Sequence, residues 1–206
     1  MYNIEGGMWI RDRSHTVTGL SICEFGDQLI WEHAKSFLIS NYDVARDWYL
    51  ARGAKEYVSF DTNGQNGALA YDLTKSLPEE FHNRFDVVTN IGTTEHLGNG
   101  TLPASLLFYQ QWQAFYSAVQ ICKIGGVVLH NLPPEKQWEG HSHIHYKDGL
   151  GSILAKHFGC ELKVEQRLQL FRLNPAADYI CIHLVKTENV LFDPNPPIAF
   201  NDRIAL

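Results

Sequence analysis

Four short runs constrain this chain more than anything else in it. They are LSICEF (Leu20 to Phe25), EYVSFD (Glu56 to Asp61), FDVVTN (Phe85 to Asn90) and VVLHNLP (Val127 to Pro133). Each is strand-length, rich in β-formers, and stops at a polar or turn residue. Strands this short and apolar belong in a sheet covered on both faces, which is the setting of parallel βαβ units. ALAYD reads as a further short strand ending at Asp72.

The stretches between the runs carry helix signals. DVARDWYLARG has Asp43 as its N-cap and Gly53 just past its end. Pro103 to Lys123 is the longest helical pattern, with Leu107, Trp112, Phe115, Val119 and Ile121 on a broad apolar face. Pro103 suits its first turn, and Gly125-Gly126 end it. GLGSILAKHFG is a third helix, stopped by Gly159. CELKVEQRLQLFRL and DYICIHLVK are strands joined by NPAA, a link so short that they must be antiparallel neighbours.

A chain of 206 residues makes one such domain with appendages. We divide it into an N-terminal extension (1–19), a main α/β domain (20–188) and a Pro-rich C-terminal tail (189–206) that can reach a neighbouring subunit, as in a homodimer. The net charge of -6, with only 17 Lys and Arg, argues against nucleic acid as a partner. No C-x-x-C pair is present among Cys23, Cys122, Cys160 and Cys181, so no zinc spacing is visible, and Cys23 and Cys181, inside apolar runs, are expected to be buried reduced thiols. No signal peptide or membrane-spanning run is evident, so a cytoplasmic protein without a membrane partner is the expectation.

Ligands of parallel sheets bind at the carboxyl ends of the strands. The informative positions are therefore Glu24, Gly26, Asp61, Asp72, Asn90, His130 and Asn131. A carboxylate ending the second strand can accept two hydrogen bonds from a ribose diol, and another suits the exocyclic amine of adenine. Aspartates also cap turns without any ligand. Dinucleotide sites show G-x-G-x-x-G after the first strand. Here EFGDQL has one glycine and puts Asp27 where phosphates would lie. An anion there is repelled and a sulfonium cation is not, which favours S-adenosyl-L-methionine over NAD.

The order LSICEFG, YVSFD, AYDLTKSLPEEFHNRFDVVTNIGTTEHL, KIGGVVLHNLP and a closing strand pair resembles the class I S-adenosylmethionine-dependent methyltransferases, over roughly Leu20 to Lys186. The resemblance implies a Rossmann-like, doubly wound, mostly parallel seven-stranded sheet with the last strand antiparallel. It implies that Glu24 and Gly26 lie under the methionine portion, that Asp61 holds the ribose, that Asp72 and Leu73 flank adenine, and that Asn90, Gly92 and Thr94 line the site. The family's glycine-rich turn is reduced here to Gly26, and the long spacing from Glu24 to Asp61 implies an insertion around Ile30 to Tyr42.

Methyl transfer is an in-line displacement, so catalysis is mostly positioning. If the acceptor is a hydroxyl, a histidine can help remove its proton. His96, with Glu95 to orient it, is the candidate; the same pair can equally cap the loop after the fourth strand. In HSHIHY, an extended backbone would put His141, His143 and His145 on one face. Such a face can bind zinc, but the spacing assigns no metal. His143 and His145 are read instead as contacts to the acceptor, with Trp138 as an apolar wall. The leading function is a methyltransferase for a small-molecule acceptor such as a sugar or small metabolite. A non-catalytic binding or scaffold protein is the alternative, supported by the thinned first turn. An NAD-dependent oxidoreductase is a weaker third reading.

Overall fold

The apolar runs pair side by side in a computed structural model that describes residues 17–30, 41–98, 100–137, 140–169, 178–195, 197 and 201–203. Most of the extension, most of the Ile30 to Tyr42 insertion, the NPAA link and Trp138 lie outside the described residues. In chain order the regular elements are β1 (Ser21–Phe25), α1 (Ala45–Ala51), β2 (Glu56–Asp61), β3 (Leu69–Ala70) and β4 (Phe85–Ile91). They continue with α2 (Ala104–Ile121), β5 (Cys122–Leu132), β6 (Ile144–Tyr146), α3 (Leu150–Phe158), β7 (Cys160–Gln169), β8 (Asp178–Lys186) and β9 (Asn201–Arg203).

Seven strands form one sheet in the order β3-β2-β1-β4-β5-β8-β7. β8 runs antiparallel to both β5 and β7, and the β1, β2, β3, β4 and β5 pairings are parallel. The strand order reverses between β1 and β4, which opens a crevice at their carboxyl ends. The alternation of side chains divides the core accordingly. Ile22, Val87 and Leu129 face α1 with Trp48 and Tyr49; Cys23, Val88 and Val128 face α2 and α3 with Trp112, Phe115 and Phe158. Each of these large side chains, fully buried, contributes roughly 1.5–3 kcal/mol of transfer free energy. None of Cys23, Cys122, Cys160 and Cys181 forms a disulfide.

The structure corrects several local expectations. β3 holds only two residues, both exposed, and Asp72 lies past it in a turn rather than at a strand end. The first helix is capped not by Asp43 but at Val44, whose side chain makes no cap bond. The Ala45 N–H instead donates to the Gln28 carbonyl at 3.1 Å, which ties α1 to the loop after β1. α2 stops at Ile121, earlier than the apolar pattern, and runs straight into β5. A bulge between Phe85 and Val87 absorbs the change, and Lys123 pairs with Asp86 at 2.7 Å. The tail lies against its own domain: Asp193 O accepts the Trp112 indole N–H at 2.9 Å, and Val190 O accepts the Tyr116 hydroxyl at 3.0 Å. Asn201–Arg203 pairs antiparallel with β6.

Candidate functional site

A cleft of about 310 Å³ opens where β1, β2 and β4 end. Gly26, Asp27 and Gln28 come from β1's end, Asp61 and Thr62 from β2's, and Gly92, Thr93 and His96 from β4's. Leu73 and Tyr71 form an apolar wall with Phe60. Asp61 is fixed by the backbone: its carboxylate accepts the N–H groups of Asp27 and Asn63, each at 2.9 Å. The Asp27 carboxylate accepts from the Asn66 amide at 2.7 Å. Two carboxylates thus face a cleft whose lining, among the described residues, contains neither Lys nor Arg. Such a cleft suits a hydroxyl donor or a cation and repels a phosphate.

Gln28 lines the cleft and was passed over by the sequence reading. Its buried amide donates to Ile91 O at 2.9 Å and to Thr93 Oγ1 at 3.1 Å, while the Thr93 hydroxyl donates to Phe25 O at 2.7 Å. These bonds sew the loop after β1 to the loop after β4 across the switch point. The sequence signal was an amide two residues past a lone glycine, beside carbonyls that a strand end leaves unpaired. Gly26 makes the close approach possible. Its φ is +92°, and a Cβ there would lie 2.4 Å from Thr93 Oγ1 and 2.9 Å from Gln28 Nε2. Gly26→Ala is expected to destabilise the fold by about 1–3 kcal/mol through strain and a broken seam, read as a lower denaturant midpoint at unchanged slope.

Of the residues read from the sequence, the structure gathers Gly26, Asp61, Leu73, Gly92 and His96 around the cleft. The others stand elsewhere. Glu24 is fully buried on the α1 side and accepts hydrogen bonds from the Tyr57 hydroxyl and from Thr89 Oγ1, the latter at 3.0 Å. Asp72 closes a local turn by accepting both the Thr74 N–H at 3.0 Å and its hydroxyl at 2.7 Å. Asn90 and Thr94 belong to a buried polar network under the cleft. Asn90 Oδ1 accepts the Thr94 N–H at 3.3 Å, and its amide donates to Thr94 Oγ1 at 2.9 Å. The same amide lies 3.0 Å from His130 Nδ1. Thr94 Oγ1 also meets the Tyr146 hydroxyl at 3.2 Å, and that hydroxyl donates to Gln111 Oε1 on α2.

This network anchors the 3-10 turn Thr94–His96 that aims Glu95 and His96. Glu95 is fully buried, and neither carboxylate oxygen has a hydrogen-bond partner. Burial pushes its pKa up to about 8. His96 is exposed at the cleft; partial burial of the ring and the neighbouring His141 and His143 hold its pKa down to about 4. Its Nε2 stands 3.8 Å from Glu95 Oε1, too far for the orienting hydrogen bond expected of Glu95. Only Ile144–Tyr146 of the HSHIHY segment is strand, so the three histidines occupy different environments. His141 is exposed with its ring 4.8 Å from that of His96, His143 is half-buried, and His145 is fully buried with neither ring nitrogen paired.

No family model matches the chain, and no curated protein matches it in sequence. Solved structures do match in fold. One is the Burkholderia thailandensis 1,6-didemethyltoxoflavin-N1-methyltransferase, with 1,6-didemethyltoxoflavin and S-adenosylhomocysteine bound: 10% identity, 90% of this chain and 78% of that one covered, TM-score 0.57. The N-methyltransferase NodS from Bradyrhizobium japonicum WM9, in complex with S-adenosylhomocysteine, is 14% identical over 89% of this chain and 87% of that one, again with a TM-score of 0.57. The [4+2]-cyclase SpnF also matches, with 12% identity, 89% and 80% coverage and a TM-score of 0.57. At these identities the likeness establishes the fold, the mostly parallel seven-stranded sheet with one antiparallel strand. It leaves the reaction open, since the cyclase shares it. Among the described residues, no helix is long and apolar enough to cross a membrane.

Proposed function

We propose that the cleft binds S-adenosyl-L-methionine and that the chain is a methyltransferase acting on a small-molecule acceptor. The observation that carries this reading is Asp61: a carboxylate held by two backbone N–H groups at the end of β2, beside the switch point, in a cleft with no Lys or Arg among the described lining residues. The residues fit the cofactor in kind. Asp61 would hold the ribose hydroxyls, Leu73 and Tyr71 would cover the adenine, and Asp27 favours a cationic centre and disfavours phosphates. When bound, the cofactor supplies an electrophilic methyl group on its sulfonium. The rest is positioning by the chain. His96 is neutral at pH 7, because its pKa lies near 4, and a neutral imidazole has one nitrogen able to accept a hydrogen bond from the acceptor's hydroxyl or amine. The proton lost from the acceptor passes to that nitrogen or to water. The net charge of -6 supports a small acceptor over RNA. His143 and His145 do not line this cleft, and their part in holding the acceptor belongs to the same proposal.

Asp61→Ala is expected to weaken S-adenosylmethionine binding by about 1–3 kcal/mol, through loss of charge-assisted hydrogen bonds. Calorimetric titration with S-adenosylmethionine, S-adenosylhomocysteine and NAD checks it. An unchanged dissociation constant removes Asp61 from the site, and preferential NAD binding removes the reading. The Gln28–Thr93 seam favours a second reading, a binding protein without turnover, because it narrows the crevice between the β1 and β4 loops. Tight cofactor binding with no methyl transfer to any acceptor in a broad panel would select it.

A further inference from the structure

We propose that Glu95, His96 and His141 form a binding site for one divalent transition-metal ion of the zinc class at the edge of the cleft. One ligand atom from each lies within 4.8 Å of the other two. Metal–ligand bonds of about 2.0–2.2 Å bring such atoms to roughly 3.3–3.5 Å, so the set must contract by about an ångström. Two of the three can supply that movement, because His96 and His141 are both exposed and their rings meet edge-on at 72° rather than packing into a core. The third is the fixed point. Glu95 is 0% exposed and held in a 3-10 turn by the Asn90–Thr94 bonds, and both of its oxygens lack a hydrogen-bond partner.

That unpaired carboxylate is the independent sign of a ligand. A buried acid side chain with neither a cation nor a donor is costly, and chains keep one where something completes it; an ion bound there would displace its proton. Two imidazoles and a carboxylate are the donors of zinc and its first-row neighbours; Mg²⁺ and Ca²⁺ prefer all-oxygen sets. Three protein ligands leave a coordination position open, and because His96 lines the cleft that position faces the space where a substrate would sit. The site joins two segments 45 residues apart, so a bound ion would also clasp the loop after β4 to the segment preceding β6. A bound ion would take the one basic nitrogen of His96, so the acceptor's proton would then pass to water, and the site does not depend on which nucleoside, if any, the cleft holds.

The test uses the full chain, stripped with a chelator and titrated with Zn²⁺ in calorimetry without any nucleoside cofactor. One ion per chain is expected, unaffected by excess Mg²⁺, and Co²⁺ should give the visible absorption of a low-coordinate site. His141→Ala and Glu95→Gln should each weaken Zn²⁺ binding by roughly tenfold or more. His157→Ala, on α3 with its ring against Trp112, should leave it unchanged. His141 is exposed in a turn, so its variant is expected to fold, and circular dichroism verifies that. Absence of Zn²⁺ binding to the wild type, or binding that survives both His141→Ala and Glu95→Gln, overturns the proposal. Failure of cofactor binding would not, and neither would its success support it.

Discussion

Phe115→Ala is expected to lower the unfolding free energy by about 3–5 kcal/mol, while Phe115→Leu should cost only about 1–2 kcal/mol. Phe115 is fully buried on α2, and its ring stands edge-on to two polar rings, His130 at 5.2 Å and Tyr146 at 5.5 Å. Gln111, one turn earlier on the same helix, takes the hydrogen bond of the same Tyr146. Removing the phenyl group therefore opens a cavity between α2 and the network that holds the Thr94–His96 turn. Urea unfolding monitored by tryptophan fluorescence measures the loss. A fall below about 1 kcal/mol for the alanine variant would mean that the helix collapses onto the sheet and that the ring is not a support of the site.

What could be read in the sequence, and what could not, follows from how far each signal reaches. Strands buried on both faces must be apolar along their length, so LSICEF and FDVVTN declare themselves as β1 and β4 without help from partners. The link between the last two strands is too short for a crossover, which makes β7 and β8 antiparallel. The polar ends of strands are a different case. Glu24 and Asp61 look alike in the sequence, yet the pleat turns Glu24 into the core toward Tyr57 and leaves Asp61 at the cleft. Asp72 satisfies itself within two residues through Thr74, and such local bonding looks the same in sequence as a ligand contact. The seam made by Gln28 spans 63 residues to Ile91, and its one local sign, an amide two residues past Gly26, names no partner. The histidines share that difficulty. His141 approaches His96, and His145 goes into the core, because the strand between them begins only at Ile144.

Acidification should destabilise the protein through His130, and His130→Gln should remove that part of the loss. Asn90 fixes the chemistry. Its Oδ1 accepts the Thr94 N–H, so the group 3.0 Å from His130 Nδ1 is the amide NH₂, a donor. Nδ1 must then accept, and the proton of the neutral ring sits on Nε2, which has no partner. Protonating Nδ1 would set two donors against each other in a fully buried place. Burial brings the His130 pKa down to about 3, against about 6.5 in the unfolded chain. A base whose folded pKa is depressed contributes stability that is fully present above the unfolded value. That contribution is lost as pH falls from about 6.5 towards 3, because the unfolded state binds the proton first. The slope of about 1.36 kcal/mol per pH unit gives a loss near 2 kcal/mol by pH 5. His96 and His145, also held below the usual imidazole range, add to the wild-type loss with the same sign, and Glu95, pushed up to about 8, opposes it, so the informative quantity is the difference between the two proteins. Glutamine can accept the Asn90 donor through its carbonyl and takes up no proton in this range. Denaturation midpoints from pH 7.5 to 5 should therefore converge, with His130→Gln less stable at neutral pH and losing less on the way down. Parallel curves would mean that His130 already titrates freely, and that the network beneath the cleft is wetter and looser than its hydrogen bonds imply.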